Sequence, residues 1–586
     1  MKKIINLKNK TDILYFVILT ILAIVAMCMR CFFSIITTDE VFNIGQVYRT
    51  VLGQKFMLEN WDFFQVGDSL SYPFIWLYYK FTGSSEGIVL YSRLCSVFIT
   101  FAIALISYIL LKSIFEKKLA FATCLIYYTT IPFNLSLYWY DNWSLTFLLL
   151  NCLMIIYGIN KGKLFPWFFL SGSFQAIAVY CYPTIVAVFL YEFIMIFIFL
   201  NSQKKRLSFK NPEIIYAAGA AFIFFVFVLF CLSRDWHDFF IFNKQITSAN
   251  LSDRSYSLKG LMSSLQLLVI KTFRYFKLEL CLSLLFLSIC IFVKRNIISK
   301  IIIPIYILIT IFFQLFYYFN FSSTPGVISQ GQNYILFYLT LCALFLYLFF
   351  FRHNILFKNF FIFLYIPAIL SGIIYAFTGM NGAIKFTFGC RFGSILFFLE
   401  LFQIITQSDI SDKNNAHNVY NIVISFFLIF NTVLIFVGSF QSDSPIKMYR
   451  NNTNICYSRT GIYKYIYDYQ DKVIYINNFE KDLKSVIKND DKTILCGRGL
   501  IYGYLMTDLK PDTNYLWQPG SLTGESSDSG FYDILFQYFN SYYGFPDIIV
   551  LKKDEFEFKN KELMDFINQN YDIEINNSDE IFYHIK

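Results

Sequence analysis

The chain has little charge and almost no histidine. Charged residues make up 15% of its 586 positions, whereas hydrophobic residues make up 56% and aromatic residues 21%. One globular core cannot bury so much apolar surface, which excludes a soluble single-domain protein. The histidines are scattered, at His237, His353, His417 and His584, and this spacing argues against a histidine-rich zinc site. The solvent for so apolar a chain is a lipid bilayer.

Long apolar runs recur from Ile13 to Phe440. Most have about the length that a helix needs to cross a bilayer core of about 30 Å. Backbone groups in lipid must be satisfied internally, and these runs are too long for barrel strands. The sequence therefore predicts a mainly α fold, a polytopic helical membrane bundle. We count thirteen spans, at approximately residues 13–36, 88–111, 119–132, 144–160, 164–181, 183–200, 213–232, 278–293, 301–319, 333–351, 359–377, 392–407 and 419–439.

The loops between the predicted spans differ in basic charge. Four lysines precede the first span, and every second short loop after it is rich in lysine or arginine, whereas the loops around Asp141, Pro183 and Pro325 hold almost none. Basic loops stay on the cytoplasmic side, so the N-terminus is predicted inside and the C-terminal tail outside. Attraction to anionic lipid also explains the net charge of +9, and no nucleic-acid partner is expected.

The composition becomes polar and charged after about residue 440. This change predicts two domains, a transmembrane catalytic domain at residues 1–440 and an extracytoplasmic soluble α/β domain at residues 441–586. The tail is expected to cap the outer cavity or to bind an extended acceptor. Cys456 and Cys496 lie in it and can form a disulfide, which their spacing alone does not decide. Strand-like runs occur at Thr493–Cys496, Asp547–Leu551 and Ile581–Ile585, and helix-like runs at Phe531–Tyr542 and Lys561–Asn570.

Two adjacent carboxylates, Asp39 and Glu40, open the first outer loop. If this segment is helical, the two side chains point about 100° apart, so that one can face a cavity while the other bonds to the scaffold. The alternative is an exposed capping pair. The loop is longer than a tether between two helices needs to be, and we expect Asp62, Gln65 and Tyr72 in it to contribute to substrate binding.

A third acid, Asp141, lies among aromatic residues at the outer end of the fourth span. Aromatic residues are common at this depth, but an acid between tryptophans is desolvated unless it meets a cation, a metal or a polar ligand. The alternative is a helix N-cap, because Asp141 precedes the predicted span. The local sequence leaves both interpretations open.

The long first helix, the outer loop that opens with Asp39 and Glu40, the second outer acid Asp141 and the outer tail together resemble the GT-C superfamily of membrane glycosyltransferases, in particular protein O-mannosyltransferases and bacterial aminoarabinose transferases. This resemblance implies a polyprenyl-phosphate sugar donor and activity at the outer face. It matches Asp39 to the catalytic acid of the first loop, Glu40 to its partner and Asp141 to the acid of the second loop. Many of these enzymes have a Lys-Pro-Pro later in the first loop, whose lysine contacts the donor phosphate. Here the stretch is Leu70-Ser-Tyr-Pro-Phe-Ile-Trp76, and the lysine is absent.

The chemistry of sugar transfer identifies further candidates. Moving a sugar from a polyprenyl phosphate to a hydroxyl group needs a base near the acceptor and positive charge near the leaving phosphate. Asp39 is the predicted base. For the phosphate, the candidates are Lys385 and Arg391, with Arg93 and Arg49 behind them.

A cofactor is an open question at the level of sequence. A Mg²⁺ or Mn²⁺ ion held by Asp39 and Asp141 is an alternative to a purely organic site, because both ions prefer oxygen ligands. The sequence does not identify the sugar or the acceptor, which can be a glycan, a lipid or a protein.

Two more acids, Glu192 and Glu400, lie within predicted spans, where an ionisable group is a functional candidate by default. Both can instead pair with basic residues near the inner surface. Because transporters use such groups, the alternative functions are a flippase or exporter of lipid-linked sugars, or a polymerase or ligase of surface polysaccharide. The clustering of acids at the outer surface favours the glycosyltransferase.

Overall fold

The computed structural model describes residues 10–60, 65–130, 137–162, 164–200, 211–233, 266, 269–292, 299–321, 331–378, 385–406, 413–437, 445–450, 454–513, 516, 535–536, 538–540, 542, 544–553 and 561–586. Helices dominate this part of the chain. The α-helices are α1 (Lys10–Cys31), α2 (Asp39–Val51), α3 (Gln65–Asp68), α4 (Tyr72–Thr82), α5 (Ile88–Leu111), α6 (Lys117–Tyr128), α7 (Tyr140–Lys161), α8 (Leu164–Cys181), α9 (Val186–Leu200), α10 (Pro212–Leu232), α11 (Lys277–Phe292), α12 (Ser299–Phe321), α13 (Gly331–Leu346), α14 (Ile355–Phe360), α15 (Ile366–Thr378), α16 (Thr387–Thr406), α17 (Lys413–Val437), α18 (Pro445–Arg450), α19 (Gln470–Val486) and α20 (Lys561–Asn570).

The described helices include 7 that are long and apolar enough to cross a membrane. A further pair, Val269–Tyr275 and Lys277–Phe292, is bent by 81° and makes an eighth if it is one broken span. Shorter apolar helices occur at Phe165–Cys181, Pro183–Phe199, Ile302–Gln314 and Asn421–Leu434. The predicted helical membrane bundle is confirmed, while the count of thirteen spans stays a prediction.

Helix α16 lies at the centre of the bundle. In its apolar stretch 94% of the residues are buried, compared with 17% in α10, whose aromatic face is exposed for lipid contact. Glycine permits this central position, because a Cβ at Gly389 would lie 2.0 Å from the backbone oxygen of Ala368 in α15. The close approach encloses the polar side chains of α16, including Arg391 and Glu400.

The C-terminal residues form a small α/β layer. The strands are β1 (Ile455–Tyr457), β2 (Tyr467–Tyr469), β3 (Thr493–Cys496), β4 (Lys510–Pro511), β5 (Ile548–Lys552), β6 (Tyr571–Asn576) and β7 (Glu580–Ile585). The larger sheet has the order β4-β3-β5-β7-β6, with β3 parallel to β4 and β5, and β7 antiparallel to β5 and β6. The predicted strands at 493–496, 547–551 and 581–585 and the helix at 561–570 are present, whereas half of the positions in 531–542 lie outside the described residues.

The strand pair β1–β2 contacts the chain that leaves α1. Phe33 forms a parallel bridge with Tyr467, whose N–H donates to the carbonyl of Phe32 at 2.7 Å. Met57 of the first loop packs into the apolar cluster on the larger sheet.

Cys456 and Cys496 are both free thiols, so they do not form the disulfide considered above. The division into domains at residue 440 stays a prediction.

Candidate active site

Helix α2 begins at Asp39. Thr38 before it has non-helical dihedral angles, and the two acids in the first turn lie at the positive end of the helix dipole. Asp39 is half-buried, whereas the side chain of Glu40 is almost fully buried. The two carboxylates therefore have different surroundings, as their angular separation on a helix predicts. An exposed capping pair does not describe them, because Glu40 is inside the protein.

Glu40 forms a buried two-point ion pair with Arg93 of α5. The Arg93 Nε and Nη2 atoms donate to the two carboxylate oxygens of Glu40, both at 2.6 Å. Arg93 also donates to the carbonyls of Cys31, Phe33 and Ser34, at 2.8, 3.0 and 2.7 Å. This arrangement ties the start of α2 and the segment before it to a membrane helix. Because every donor of Arg93 is used within the protein, we assign it to the scaffold of the site.

Asp141 meets a cation. Its Oδ2 atom lies 3.2 Å from Nζ of Lys385, and the two side chains are 2% and 13% exposed. Asp141 lies in the first turn of α7, whose N-cap residue is Trp139. Of the two interpretations of Asp141 given above, the structure therefore supports a desolvated acid with a charged partner. Lys385 precedes α16, so this ion pair joins two helices at one end of the bundle.

The candidate residues converge on the segment Tyr138–Asp141. Nζ of Lys385 lies 3.2 Å from Oδ2 of Asp141, and Asp39 and Arg391 lie near enough to the phenols of Tyr140 and Tyr138 for their charges to act on them. The first loop, the start of α7 and the start of α16 are therefore neighbours in this region.

Asp68 is a further acid in this region, and the sequence reading did not single it out. Its Oδ1 atom accepts a hydrogen bond from the backbone N–H of Tyr140 at 2.9 Å and so caps α7 from the first loop. Gly67 permits the approach, since a Cβ there would lie 2.5 Å from Cβ of Tyr140. Asp68 also lines a small cleft with Asn43 and Tyr138. A glycine followed by an acid within a long outer loop was the available signal.

Arg391 is a buried guanidinium without a carboxylate partner in the described part of the chain. Its Cζ atom lies 4.4 Å from the centre of the Tyr127 ring, and the residue is 6% exposed. Its Nε atom is buried without a hydrogen-bond partner among the described residues. A charge in such surroundings is costly unless an anion compensates it. Among the candidate phosphate ligands, Arg391 is thus the one whose charge is least compensated by the described groups of the protein.

The first-loop residues predicted to bind substrate have different surroundings. Gln65 is buried, where its Oε1 atom accepts the N–H of Met57 at 3.0 Å and its Nε2 atom donates to the carbonyl of Asn60 at 2.8 Å. Tyr72 begins α4 and is half-buried. Asp62 lies outside the described residues. The contacts of Gln65 are those of a residue that shapes the loop.

The far end of α2 is held by the C-terminal region. Arg49 donates to the carbonyl of Thr513 at 2.8 Å and to Oε1 of Gln54 at 2.6 Å. The Tyr48 hydroxyl donates to Oδ1 of Asp508 at 2.9 Å, and burial together with the Asp508 carboxylate raises the pKa of Tyr48. Arg49, a reserve candidate for the phosphate, therefore uses its Nε and Nη2 atoms for contacts within the protein, whereas its buried Nη1 atom has no hydrogen-bond partner among the described residues.

The metal alternative fits these residues poorly. In the described part of the chain, no group of 3 or more His, Cys, Asp or Glu side chains is placed to hold a metal ion. Asp141, one of the two suggested ligands, already has the ammonium group of Lys385 beside it. Since a second cation would meet this charge, we assign no step of the reaction to a metal.

Glu192 and Glu400, the two acids in the predicted spans, differ in their hydrogen-bond partners. Glu192 accepts hydrogen bonds from Asn151 Nδ2 at 2.6 Å and from the Tyr216 hydroxyl at 2.7 Å. Neither carboxylate oxygen of Glu400 has a hydrogen-bond partner among the described residues. Within those residues neither acid pairs with a lysine or arginine, which differs from the pairing considered above. The local network of Glu192 is typical of a residue that joins helices.

Residues 71–230 match the model of a protein family described as dolichyl-phosphate-mannose-protein mannosyltransferase. No curated protein matches the chain significantly. The matched segment contains Arg93 and Asp141, whereas Asp39, Lys385 and Arg391 lie outside it. The match supports a membrane glycosyltransferase that uses a lipid-linked sugar. It confirms the predicted resemblance of this chain to the GT-C membrane glycosyltransferases.

Proposed function

We propose that this protein transfers a sugar from a polyprenyl-phosphate donor to a hydroxyl group of an acceptor at the outer face of the membrane. The observation that carries the proposal is the buried ion pair of Lys385 and Asp141, with Asp39 and Arg391 near enough to the adjacent residues Tyr140 and Tyr138 for their charges to act there. Such a site combines a candidate base with two cations, which is the combination that the reaction needs.

Asp39 is the proposed general base. The acceptor oxygen attacks the anomeric carbon of the sugar, its proton moves to the Asp39 carboxylate, and the bond from the anomeric carbon to the phosphate oxygen breaks. Polyprenyl phosphate leaves with the bonding electrons. The choice of Asp39 over Glu40 rests on their surroundings, because both oxygens of Glu40 accept from Arg93, whereas Asp39 is half-buried at the start of α2.

Arg391 is the proposed ligand of the donor phosphate. A guanidinium binds phosphate through two parallel hydrogen bonds, and the burial of Arg391 strengthens such a contact. Lys385 adds a point charge, which its ion pair with Asp141 holds in place. Negative charge grows on the leaving phosphate in the transition state, so both cations contribute to rate as well as to binding.

The experiment measures transfer by the purified full chain in lipid vesicles. Labelled polyprenyl-phosphate sugars are offered with glycan, lipid and peptide acceptors, and wild type is compared with Asp39→Asn. This substitution keeps the shape of the side chain and removes the base, so we expect turnover to fall by about 100-fold or more. The matched control is Glu86→Gln, which alters a 42% exposed acid of the same loop and should leave turnover unchanged.

Equal turnover in wild type and Asp39→Asn would exclude Asp39 as the base. A different result concerns the reaction itself. If wild type transfers no sugar but moves a labelled lipid-linked sugar between the leaflets of the vesicles, the flippase alternative explains the chain better.

A further inference from the structure

A cleft lies between helices α2, α4 and α5 and adjoins the candidate active site. Asn43 of α2 lines this cleft and follows Asp39 by about one helical turn. Tyr138 lines it as well, and Arg391 is near enough to the phenol of Tyr138 for its charge to act there. The cleft is therefore close to the helix end that carries the proposed base and to the proposed phosphate ligand.

The side-chain amide of Asn43 leaves a hydrogen-bond acceptor in the cleft. Its Nδ2 atom donates to the backbone carbonyl of Asp39 at 2.5 Å, and this bond fixes which end of the amide is the nitrogen, because a carbonyl oxygen can only accept. The Oδ1 atom of Asn43 is buried without a hydrogen-bond partner among the described residues, and the residue is 5% exposed. A buried polar atom is costly unless a hydrogen bond compensates it, so Oδ1 suits a ligand that brings a donor.

The other polar groups of the cleft are also mainly acceptors. The hydroxyl groups of Ser71, Ser92 and Ser96 each donate to a backbone carbonyl, at 3.0, 2.7 and 3.0 Å, so their hydrogens are already used. The carboxylate of Asp68 belongs to the lining, and in the described part of the chain no lysine, arginine or histidine lines the cleft. The cleft therefore favours a neutral ligand that is rich in donors.

This lining restricts the chemistry of the ligand further. A phosphate group would meet the carboxylate of Asp68 with no cation in the lining, and a hydrocarbon chain would leave Oδ1 of Asn43 without a donor. A sugar ring or another polyol avoids both costs, because its hydroxyl groups donate while its C–H face packs against apolar side chains. Phe74 and Ile99 supply such side chains, and both are half-buried.

We propose that this cleft binds a hydroxyl-bearing ring of a substrate, a sugar or another polyol, and that Oδ1 of Asn43 accepts a hydrogen bond from one of its hydroxyl groups. The ring belongs to the donor sugar or to the acceptor, because both meet near Asp39 in the proposed reaction. The inference rests on the proposed function for the identity of the substrate, whereas binding in the cleft can be measured without transfer.

Cys95 of α5 reports whether the cleft is occupied, because its half-buried thiol belongs to the lining. The full chain in lipid nanodiscs is treated with N-ethylmaleimide, and modification of Cys95 is followed by peptide mass spectrometry. Cys456, a half-buried thiol of β1, is the internal control. The probes are polyprenyl phosphates that carry a hexose or a pentose, polyprenyl phosphate without a sugar, and the corresponding methyl glycosides.

At a probe concentration of about ten times Kd, a sugar-bearing donor or a methyl glycoside should slow modification of Cys95 by about tenfold. Modification of Cys456 should not change, and polyprenyl phosphate without a sugar should have no effect on Cys95. Protection by the sugar-bearing donors assigns the cleft to the donor sugar, and protection by a methyl glycoside alone assigns it to the acceptor.

Equal protection by polyprenyl phosphate without a sugar would overturn the inference, because the lipid chain or the phosphate would then fill the cleft. Modification of Cys95 at one rate with every probe would overturn it as well. A protein that transfers sugar while Cys95 stays unprotected contradicts this inference alone. A protein that transfers none while a glycoside protects Cys95 contradicts the proposed function alone.

Variants at Asn43 test the role of Oδ1. Asn43→Leu keeps about the size of the side chain and removes this atom, so Kd of the protecting probe should rise about three- to tenfold. Asn43→Ser is the matched control, because a helical serine hydroxyl can donate to the carbonyl four residues earlier, as Nδ2 of Asn43 does, without replacing Oδ1. We expect the same rise in both variants. A wild-type Kd in Asn43→Leu would exclude Oδ1 as a ligand, and recovery of Kd in Asn43→Ser alone would assign the effect to the contact with Asp39.

Discussion

Asp141 and Lys385 stand 244 positions apart in the chain, yet Oδ2 of Asp141 and Nζ of Lys385 are 3.2 Å apart in the structure. The pair joins the start of α7 to the residues before α16, and both side chains are largely shielded from water. The negative charge of Asp141 and the positive charge of Lys385 thereby compensate each other. The pair also brings Lys385 into the region where Asp39 and Arg391 lie.

We predict that Asp141 and Lys385 are energetically coupled. Removing one partner leaves the other charge buried, whereas removing both does not, so Lys385→Met should destabilise the protein more in the wild-type background than in the Asp141→Asn background. A double-mutant cycle on the unfolding of the detergent-solubilised chain should give a coupling free energy of about 1–3 kcal/mol. Additive effects of the two substitutions would show that the pair carries no interaction energy.

The same variants test the catalytic role of Lys385. If Lys385 acts at the leaving phosphate, Lys385→Met should lower turnover even when Asp141→Asn has removed its partner. Restoration of wild-type turnover in the double variant would instead mean that Lys385 serves only to neutralise Asp141.

Because no metal step is proposed, treatment with a chelator should leave wild-type turnover unchanged.

The ion pair of Glu40 and Arg93 is predicted to be a major stability element. Arg93→Met would leave the Glu40 carboxylate without its charged donor and would remove one donor from each of three backbone carbonyls, and breaking such a buried pair typically costs about 3–5 kcal/mol. Arg93→Lys should recover little, because an ammonium group cannot reproduce the two-point contact. Thermal unfolding measures both effects. The control is Lys464→Met, which breaks a solvent-exposed pair with Glu86 and should barely change the unfolding midpoint.

Much of this architecture was predictable from patterns that are local in the chain. The apolar runs predicted the helical bundle, and the change of composition together with short buried runs predicted strands β3, β5 and β7. Three acids were identified from the sequence, Asp39, Glu40 and Asp141. A charge near an apolar boundary is costly unless it has a function or a partner.

The partners of these acids were not predictable, because they depend on packing between distant segments. No local feature of the sequence indicates that Glu40 pairs with Arg93 or that Asp141 pairs with Lys385. Asp68 was missed for the same reason, since it acts by capping α7, a helix that begins far along the chain. The contact of Asp468 with Ile35 joins residues that are 433 positions apart, and only the fold places them together.

Arg391 is predicted to be needed for donor binding and for turnover. Arg391→Ala removes the buried cation that we place at the phosphate, so KM for the donor should rise and kcat should fall, each by about tenfold or more. Arg391→Lys keeps the charge and loses the fork geometry, and it should recover part of the activity. Steady-state kinetics at varied donor concentration measure both constants. Arg352→Ala, at an exposed arginine, is the control, and normal transfer by Arg391→Ala at limiting donor would place the phosphate elsewhere.

Asp512 is predicted to make stability depend on pH. Burial raises its pKa from 3.8 to about 8, the nearby acids Asp547 and Glu59 add to the shift, and Arg49 opposes it. Neither carboxylate oxygen has a hydrogen-bond partner among the described residues. The folded protein therefore holds a proton that the unfolded chain releases between about pH 4 and pH 8, and the stability that this proton provides is lost as the pH rises through this window.

Wild type should lose up to about 1.4 kcal/mol of unfolding free energy per pH unit from this group across the window. Asp512→Asn cannot titrate, so its unfolding midpoint should fall less than that of wild type between pH 5 and pH 8. Near pH 8 the variant should therefore have gained stability relative to wild type. Thermal unfolding at half-unit pH intervals measures the difference, and Asp490→Asn, at an exposed acid of the same region, should follow the wild-type curve. Parallel curves for wild type and Asp512→Asn would mean that Asp512 is charged in the folded protein, and the neighbouring Arg49 would then be the group that compensates it.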